Sequence, residues 1–290
     1  MKLLIILNDG LSQDEFFDKN SFLLESAKFV GFEIDIKRNT EISYTFTSNG
    51  ISVKLPTYDA VLFYSKDIFL AESLEKNGYK VFNSSKCISN CDNKASTYKI
   101  LAENNLPIPK TFIIPLTFYY NEKFFENFII QIERELTYPI IAKKWYGSEG
   151  KQVYLINNNI ELKNLIKNES GKELLFQEYF SECFGSDIRI NVVGNKAVSA
   201  IRRISTSNDF RANTSIGGIA EKYNPTSEEI DLAIRASKSL KCDFSGIDIL
   251  QTNKGPIICE VNSNSQLKNI YNCCNVNVAE HMFNYIKSKI

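Results

Sequence analysis

Two acids, Asp248 and Glu260, stand in an otherwise apolar stretch, GIDILQTNKGPIICEVNSNS at 246–265. The stretch predicts two strands joined by a tight turn at Asn253, Lys254 and Gly255, a three-residue hairpin loop with glycine in the left-handed region. That register sets Asp248 opposite Glu260. Side chains alternate along a strand, so Asn262 joins them on one face while Ile247, Ile249, Ile257, Cys259 and Val261 take the other. Like charges opposed across strands destabilise a sheet, and burial raises the penalty. No Lys or Arg on these two strands is placed to relieve it, which leaves a proton, a basic side chain brought from elsewhere, or a metal ion.

Basic residues that could meet such acids lie upstream. WYGSEGKQV places Gly147 and Gly150 around Ser148 and Glu149, between two predicted strands, where glycine lets successive backbone N–H groups approach an anion. The loop matches neither a Walker A motif nor a dinucleotide fingerprint, and by itself fits a plain hairpin turn. Lys143 on the incoming strand adds a charge that can reach phosphate oxygens, while Lys144 points to the opposite face. IRRISTSNDFRAN brings Arg202, Arg203 and Arg211 within ten residues, followed by Asn213. These fit either a solvated basic face or an anion clamp in which Arg203 and Arg211 grip phosphate or carboxylate. Asp187, Arg189 and Asn191 share one strand face, either as a surface ion pair or as an acid beside a nucleotide ribose. An oxygen-donor patch without histidine or cysteine suits a hard cation such as magnesium, which completes its shell with water and substrate phosphates. The combination predicts a nucleotide-phosphate site in which magnesium and a triphosphate separate the two acids from the basic residues.

The elements that must position these residues follow from periodicity. KLLIILN, EIDIKR, AVLFYS and KVFNS are compact apolar runs separated by helical patterns, one stopped at Gly31. They predict a parallel sheet covered on both faces. This first unit is expected to end near Asn90. Asp92 is placed to cap the next helix, with Tyr98, Leu101 and Ala102 on its apolar face, and Pro107 and Pro109 end it. A helix over 121–136, the strand–loop–strand of YPIIAKKWYGSEGKQVYLI, then LLFQEYF and DIRINVVGNKAVSAIRR follow. A helix opening with the capping box Thr226 to Glu229, with Ile230, Ala233, Ile234 and Leu240 on one face, precedes the hairpin. The aromatic cluster Phe118, Tyr119, Tyr120, Phe124 and Phe125 is expected in a core, because no basic run interleaves it as a base-stacking surface requires. The fold class is α/β, turning α+β in the C-terminal part, with units at 1–90, 91–176 and 177–290.

With 290 residues, 34 basic and 34 acidic side chains, the chain can bury a sizeable core and lacks the broad positive footprint of a nucleic-acid binder. The LLIIL run is shorter than a signal-peptide core and no later run approaches a membrane span. A cytoplasmic protein with neither nucleic-acid nor membrane partner is expected. Cys87, Cys91, Cys183, Cys242, Cys259, Cys273 and Cys274 contain no CxxC pair and no cysteine–histidine spacing of a zinc site, so reduced core or loop thiols are expected. His281 lies in a helical pattern with no nucleophile motif about it, which sets aside Ser-His-Asp and Cys-His chemistry.

From about Asn90 onward, the order of DNKASTYKILAENNLPIPKT, YPIIAKKWYGSEG, QEYF, DIRINVVGNKAVSAIRR, DFRANTSIGG, GIDIL and EVNSNS resembles the ATP-grasp superfamily. Within it the sequence is similar to the RimK-like carboxylate–amine ligases, the ribosomal protein S6 modification type. The resemblance implies an ATP-grasp fold preceded by a Rossmann-like domain, and ATP with Mg2+ or Mn2+, two ions being expected. By position it implies that Lys94 and Lys143, with Gly147, Ser148 and Gly150 of the loop, hold ATP phosphates. Gln177, Glu178, Tyr179 and Phe180 would contact adenine and Asp187 the ribose. Arg203, Arg211 and Asn213 would organise the phosphates and the acyl intermediate, the two arginines as the catalytic pair, with Asp248, Glu260 and Asn262 as metal ligands. The implied reaction is attack of a carboxylate on the γ-phosphate, giving an acyl phosphate that an amine converts to an amide. Glutamate or another amino acid is implied as one substrate, with a peptide, protein, carrier or small amine as acceptor, and a homo-oligomer is compatible. Lys144 stands where many relatives have proline, GKQV lacks a further loop glycine, and no Ser-Pro-Gly run follows Asn262, departures that bear on loop closure and on the acceptor. Synapsin-like binding of ATP without turnover and an ATP-grasp small-molecule kinase are the rival readings, and the complete metal and basic set favours the ligase.

Overall fold

The computed structural model describes residues 1–10, 13–148, 150–169, 172–212, 217–265 and 267–290, with side chains described throughout these ranges except at 13–20. The chain opens with β1 (Lys2–Leu7), α1 (Gln13–Val30), β2 (Glu33–Arg38), a hairpin of β3 (Tyr44–Thr47) and β4 (Gly50–Val53), β5 (Ala60–Tyr64), α2 (Ile68–Lys76) and β6 (Val81–Phe82). The strands pair in the order β2-β1-β5-β6, all parallel, as the apolar runs predict. Leu3, Ile5 and Leu7 of β1 enter one core and Leu4 and Ile6 another, so the sheet is covered on both faces. α1 ends where Gly31 adopts a φ of +93°, a conformation costly for residues with a Cβ.

Next come α3 (Ser85–Asp92), α4 (Lys94–Glu103), β7 (Thr111–Ile113), α5 (Glu122–Glu135), β8 (Ile140–Lys144), β9 (Val153–Ile156), α6 (Asn159–Asn168) and β10 (Leu174–Glu178). The cap of α4 is Asn93, whose side chain accepts from Ser96 N at 3.0 Å; Asp92 instead closes α3. An antiparallel sheet β7-β10-β8-β9 packs α5 and α6 through Phe125, Ile129, Leu162 and Ile166. Of the aromatic cluster only Phe125 is in this core. Phe118 is 95% and Tyr119 84% exposed, and Tyr120 and Phe124 are exposed as well, contrary to expectation. Phe118, Tyr119 and Tyr120 precede the helix and lie outside its 3.6-residue periodicity, Tyr120 reaching the core only by stacking on Phe125, and Phe124 sits on α5 beside the buried stripe of Phe125, Phe128, Ile129 and Ile132.

The last stretch holds β11 (Ser186–Val193), β12 (Lys196–Ile204), β13 (Ile219–Lys222), α7 (Ser227–Ser239), β14 (Phe244–Thr252), β15 (Gly255–Asn262), α8 (Leu267–Cys274) and α9 (Val278–Lys287). The sheet runs β13-β12-β11-β14-β15, antiparallel throughout. Ile188, Ile190 and Val192 of β11 pack with Ile247 and Ile249 against α7, which the Thr226–Glu229 capping box opens. The apolar face of α7 is centred on Leu232, Ala233, Ala236 and Leu240; Ile230 and Ile234 are only half-buried. α9 returns to the start of the chain, its Met282, Phe283 and Ile286 sharing a core with Leu3, Ile5 and Leu62. Asn83, fully buried after β6, ties this region to β14. Its Oδ1 accepts from Asp243 N (2.7 Å) and Phe244 N (3.1 Å), and its Nδ2 donates to Phe244 O (2.8 Å) and Ser263 O (3.0 Å).

Candidate functional site

The β14–β15 hairpin carries the two acids in the predicted pairing, Asp248 opposite Glu260, but reaches it differently. Thr252 pairs with Gly255, so the turn has two residues, Asn253 and Lys254, and an irregularity between Asp248 and Ile249 absorbs the residue thus gained. Cys259 is that extra residue. In consequence Ile258 enters the core in place of Ile257, and Cys259 turns toward the cleft in place of the apolar face.

Charge relief comes from neighbouring strands. Arg189 on β11 lies in register with Asp248 and binds it in a fork, Nε to Oδ1 at 2.6 Å and Nη2 to Oδ2 at 2.7 Å. Arg203 on β12 grips Asp187 with two bonds of 2.6 Å and reaches Asp248 Oδ2 at 2.8 Å. Asp187 and Arg189 are therefore parts of buried forks, not a surface pair. Glu260 meets Lys94 Nζ at 3.1 Å, and the same ammonium donates to Gly147 O at 3.0 Å. Of the three possibilities open from the sequence, basic side chains from elsewhere supply the relief. Burial pushes the Asp248 carboxyl up, but Arg189 and then Arg203 outweigh it and hold it below its ordinary value. For Asp187 burial wins: Arg203 and, more weakly, Arg189 pull its carboxyl down while Asp248 repels it, leaving it above the ordinary value. Burial disfavours charge on Arg203 too, yet the two carboxylates raise its pKa.

Strand alternation decides the two lysines of β8. Lys143 is buried, with Nζ 3.0 Å from Tyr98 Oη and 3.9 Å from Cys259 Sγ, while Lys144 faces outward to Glu169 at 2.7 Å. The glycine loop after β8 has Gly147 at φ +157° and Gly150 at φ +72°. Arg211 closes over it, Nη1 donating to Gly150 O at 2.6 Å while a fork holds Asp209.

These groups line one cleft of about 550 Å³ between the second and third sheets. Lys94, Lys143, Ser148, Gly150, Gln177, Glu178, Tyr179, Phe180, Asp187, Arg203, Arg211, Asp248, Glu260 and Asn262 all border it. Gly147 contributes through its carbonyl on Lys94. Asn213 lies outside the described residues. Among the described residues, six basic side chains, Lys66, Lys94, Lys143, Arg189, Arg203 and Arg211, line the cleft with four carboxylates, Glu178, Asp187, Asp248 and Glu260, so the wall keeps a cationic surplus suited to a polyanion. Asp248, Glu260 and Asn262 present oxygen donors side by side, a hard-cation set; Glu260 is a third exposed, whereas Asp248 is buried and already accepts from two arginines. Asn8, Tyr64, Ser65 and Lys66, at the carboxyl ends of β1 and β5, form a rim that the motifs did not indicate. The ends of parallel strands are where such crevices form, which was the available signal.

A family model described as RimK-like ATP-grasp domain matches residues 91–286. The chain is 30% identical over 288 residues to a probable alpha-L-glutamate ligase of Maridesulfovibrio salexigens, covering 94% of this chain and 92% of that protein. It is 32% identical over 263 residues to human N-acetylaspartylglutamate synthase A, covering 89% of this chain and 64% of the synthase. In fold it is similar to the crystal structure of a RimK domain protein ATP-grasp from Sphaerobacter thermophilus, with a TM-score of 0.73 over 98% of this chain and 99% of that one, at 16% identity.

Proposed function

This chain belongs to the RimK-like ATP-grasp family, and from that premise we propose how its cleft works. It is an ATP-dependent carboxylate–amine ligase. The observation that carries the assignment of roles is the single charged face on which strands β11, β12, β14 and β15 converge, opposite the Lys143–glycine loop. Lys143 and Lys94 hold the terminal phosphates, with Ser148 and the Gly147 and Gly150 backbone cradling them. Gln177 to Phe180, leaving β10, flank the adenine, and Asp187 offers its remaining lone pairs to the ribose while aligning Arg203. Bound Mg2+, held by Asp248, Glu260 and Asn262, supplies neutralisation of phosphate charge, with two ions in the full complex.

Arg203 is held rigidly by two carboxylates, so its guanidinium is oriented before substrate arrives. It stabilises charge on the transferring phosphoryl group, and Arg211, hinged to Gly150, follows the loop as it closes. Among the described residues of this wall, Cys259 and Cys183 are thiols raised above their ordinary pKa, chiefly by burial, and no histidine lines the cleft to activate them or the hydroxyls of Ser148 and Ser186. The carboxylate substrate is therefore itself phosphorylated, and the amine attacks the resulting acyl phosphate, releasing phosphate. Glutamate is the amino acid we assign, as the names of both relatives suggest; the partner substrate is a second amino acid, a peptide or a small amine.

The test is the product pair. ADP and inorganic phosphate should form in equal amounts, only with glutamate and a second substrate present, and hydroxylamine should divert the acyl phosphate to a hydroxamate. AMP and pyrophosphate would overturn the acyl-phosphate route; ATP binding without turnover across amino acids and amines would favour a synapsin-like role.

A further inference from the structure

Outside the cleft, three thiols meet. Cys87 and Cys91 stand one turn apart on α3, both buried, and Cys242 follows α7 at the entry to β14. Cys87 Sγ lies 3.0 Å and Cys91 Sγ 3.5 Å from Cys242 Sγ, and all three sulfurs lie within 4.8 Å of one another. No part of the ligation uses them, and each is a free thiol. We propose that Cys87, Cys91 and Cys242 form a binding site for one soft, thiophilic cation, Zn2+ or Cu+.

A disulfide accounts for less of this geometry. Residues four apart on a helix have Cβ atoms about 5–6 Å apart, beyond the ~3.5–4.5 Å a disulfide spans. Cys87 and Cys91 thus cannot bridge each other, and pairing either with Cys242 leaves the third thiol idle. A metal uses all three. Zinc–sulfur bonds of about 2.3 Å place ligand sulfurs about 3.8 Å apart in a tetrahedral site, a spacing these side chains reach by small rotations. The donor set is sulfur alone; no His, Asp or Glu among the described residues completes the group. Sulfur-only donors select Zn2+ or Cu+ over Mg2+, so this site and the oxygen-lined hairpin do not compete for one ion. Loading forms three metal–sulfur bonds and releases the thiol protons to solvent.

Location gives the site its consequence. Cys91 lies just before Lys94, and Cys242 just before Asp248. An ion here ties the end of α3, which leads into α4, to the entry of β14; α4 and β14 both carry cleft residues, and Cys87 and Cys242 are 155 positions apart in the chain.

The test titrates reduced, chelator-stripped full-length protein with Zn2+ against a chromophoric chelator, and separately with Cu+ held by a Cu+-selective chelator. Cd2+ serves as an optical stand-in through its thiolate charge-transfer band. One equivalent of Zn2+ or Cu+ should bind, with a rise in melting temperature, and the arm that binds names the ion. Cys91→Ser and Cys242→Ser, both checked for folding by circular dichroism, should each weaken binding at least tenfold, while Cys273→Ser should leave it unchanged. No binding of either cation would overturn the proposal. So would a charge-transfer band that survives in both cluster variants, or a native disulfide at Cys242 that persists after gentle purification and precludes loading.

Discussion

Replacing Asp248 with Asn should destabilise the protein in the absence of ATP and metal. The Asp248 side chain is 3% exposed and accepts three charge-assisted bonds, from Arg189 Nε and Nη2 and from Arg203 Nη2, at 2.6–2.8 Å. Asparagine keeps the shape, removes the charge, and turns an amide N–H toward a guanidinium. Removing one partner of a buried ion pair costs about 3–5 kcal/mol, because the remaining charges stay buried without their counter-ion. Unfolding entropy of about 2.1 cal/mol/K per residue makes this about 5–8 °C for a cooperative unit of this size. Glu260→Gln is the internal control. Its side chain is a third exposed and pairs with Lys94 at 3.1 Å, a buried ammonium that keeps its bond to Gly147 O, so a smaller loss of about 1–3 kcal/mol is expected. The pH dependence has a definite sign. The folded pKa of Asp248 is depressed below 3.8, so its contribution is present above that value and lost as pH falls through the folded pKa. Wild type and Asp248→Asn should therefore converge in stability as pH falls below 3.8 and through that depressed pKa. Thermal unfolding across pH decides it; an unchanged or raised melting temperature for Asp248→Asn at pH 7 would show that opposed acids, not arginine forks, govern this face.

Lys143→Met, which removes a buried ammonium but keeps its apolar stem, should weaken ATP binding about tenfold to a hundredfold with the melting temperature held or raised; equal affinity by calorimetry refutes its phosphate role. Gly150→Ala forces a Cβ to within 3.2 Å of Arg211 Cδ at a φ of +72°, a strain of about 1–2 kcal/mol. Its kcat/KM should fall while the isolated fold loses little, and wild-type kinetics would release the loop from the mechanism. Asn83→Ala orphans four backbone groups and should destabilise by about 3 kcal/mol or more, read by denaturant unfolding; a loss under 1 kcal/mol would mean water replaces the amide.

Local rules made part of this molecule legible. Period-two alternation separated Lys143 from Lys144 and put Asp187 and Arg189 on the polar face of β11, and the Thr226–Glu229 box marked the start of α7. The Asp248–Glu260 pairing was readable because the turn and the bulge offset each other; the bulge itself was not, so Ile257 and Cys259 were assigned to the wrong faces. The pairing of Arg189 with Asp248 and of Arg203 with Asp187 and Asp248 depends on β11 lying between β12 and β14, a long-range choice that no local signal carries. The same holds for Asn83, whose partners lie 160 to 180 residues away, and for the convergence of three cysteines without a recognisable spacing.

The return of α9 to the first sheet bears on synthesis. One face of β1 and β5, with Leu3, Ile5 and Leu62, is shared by α1 and α9, so only α1 is at hand when these strands leave the ribosome. More than two hundred residues separate Tyr64 from Met282, and at about 5–20 residues per second the nascent sheet waits roughly 10–40 s for its second cover. For that interval a parallel sheet with an open apolar face is a target for holdase chaperones and for its own neighbours on a polysome. The order of elements along the chain thus sets an aggregation hazard more than two hundred residues of synthesis ahead of its remedy.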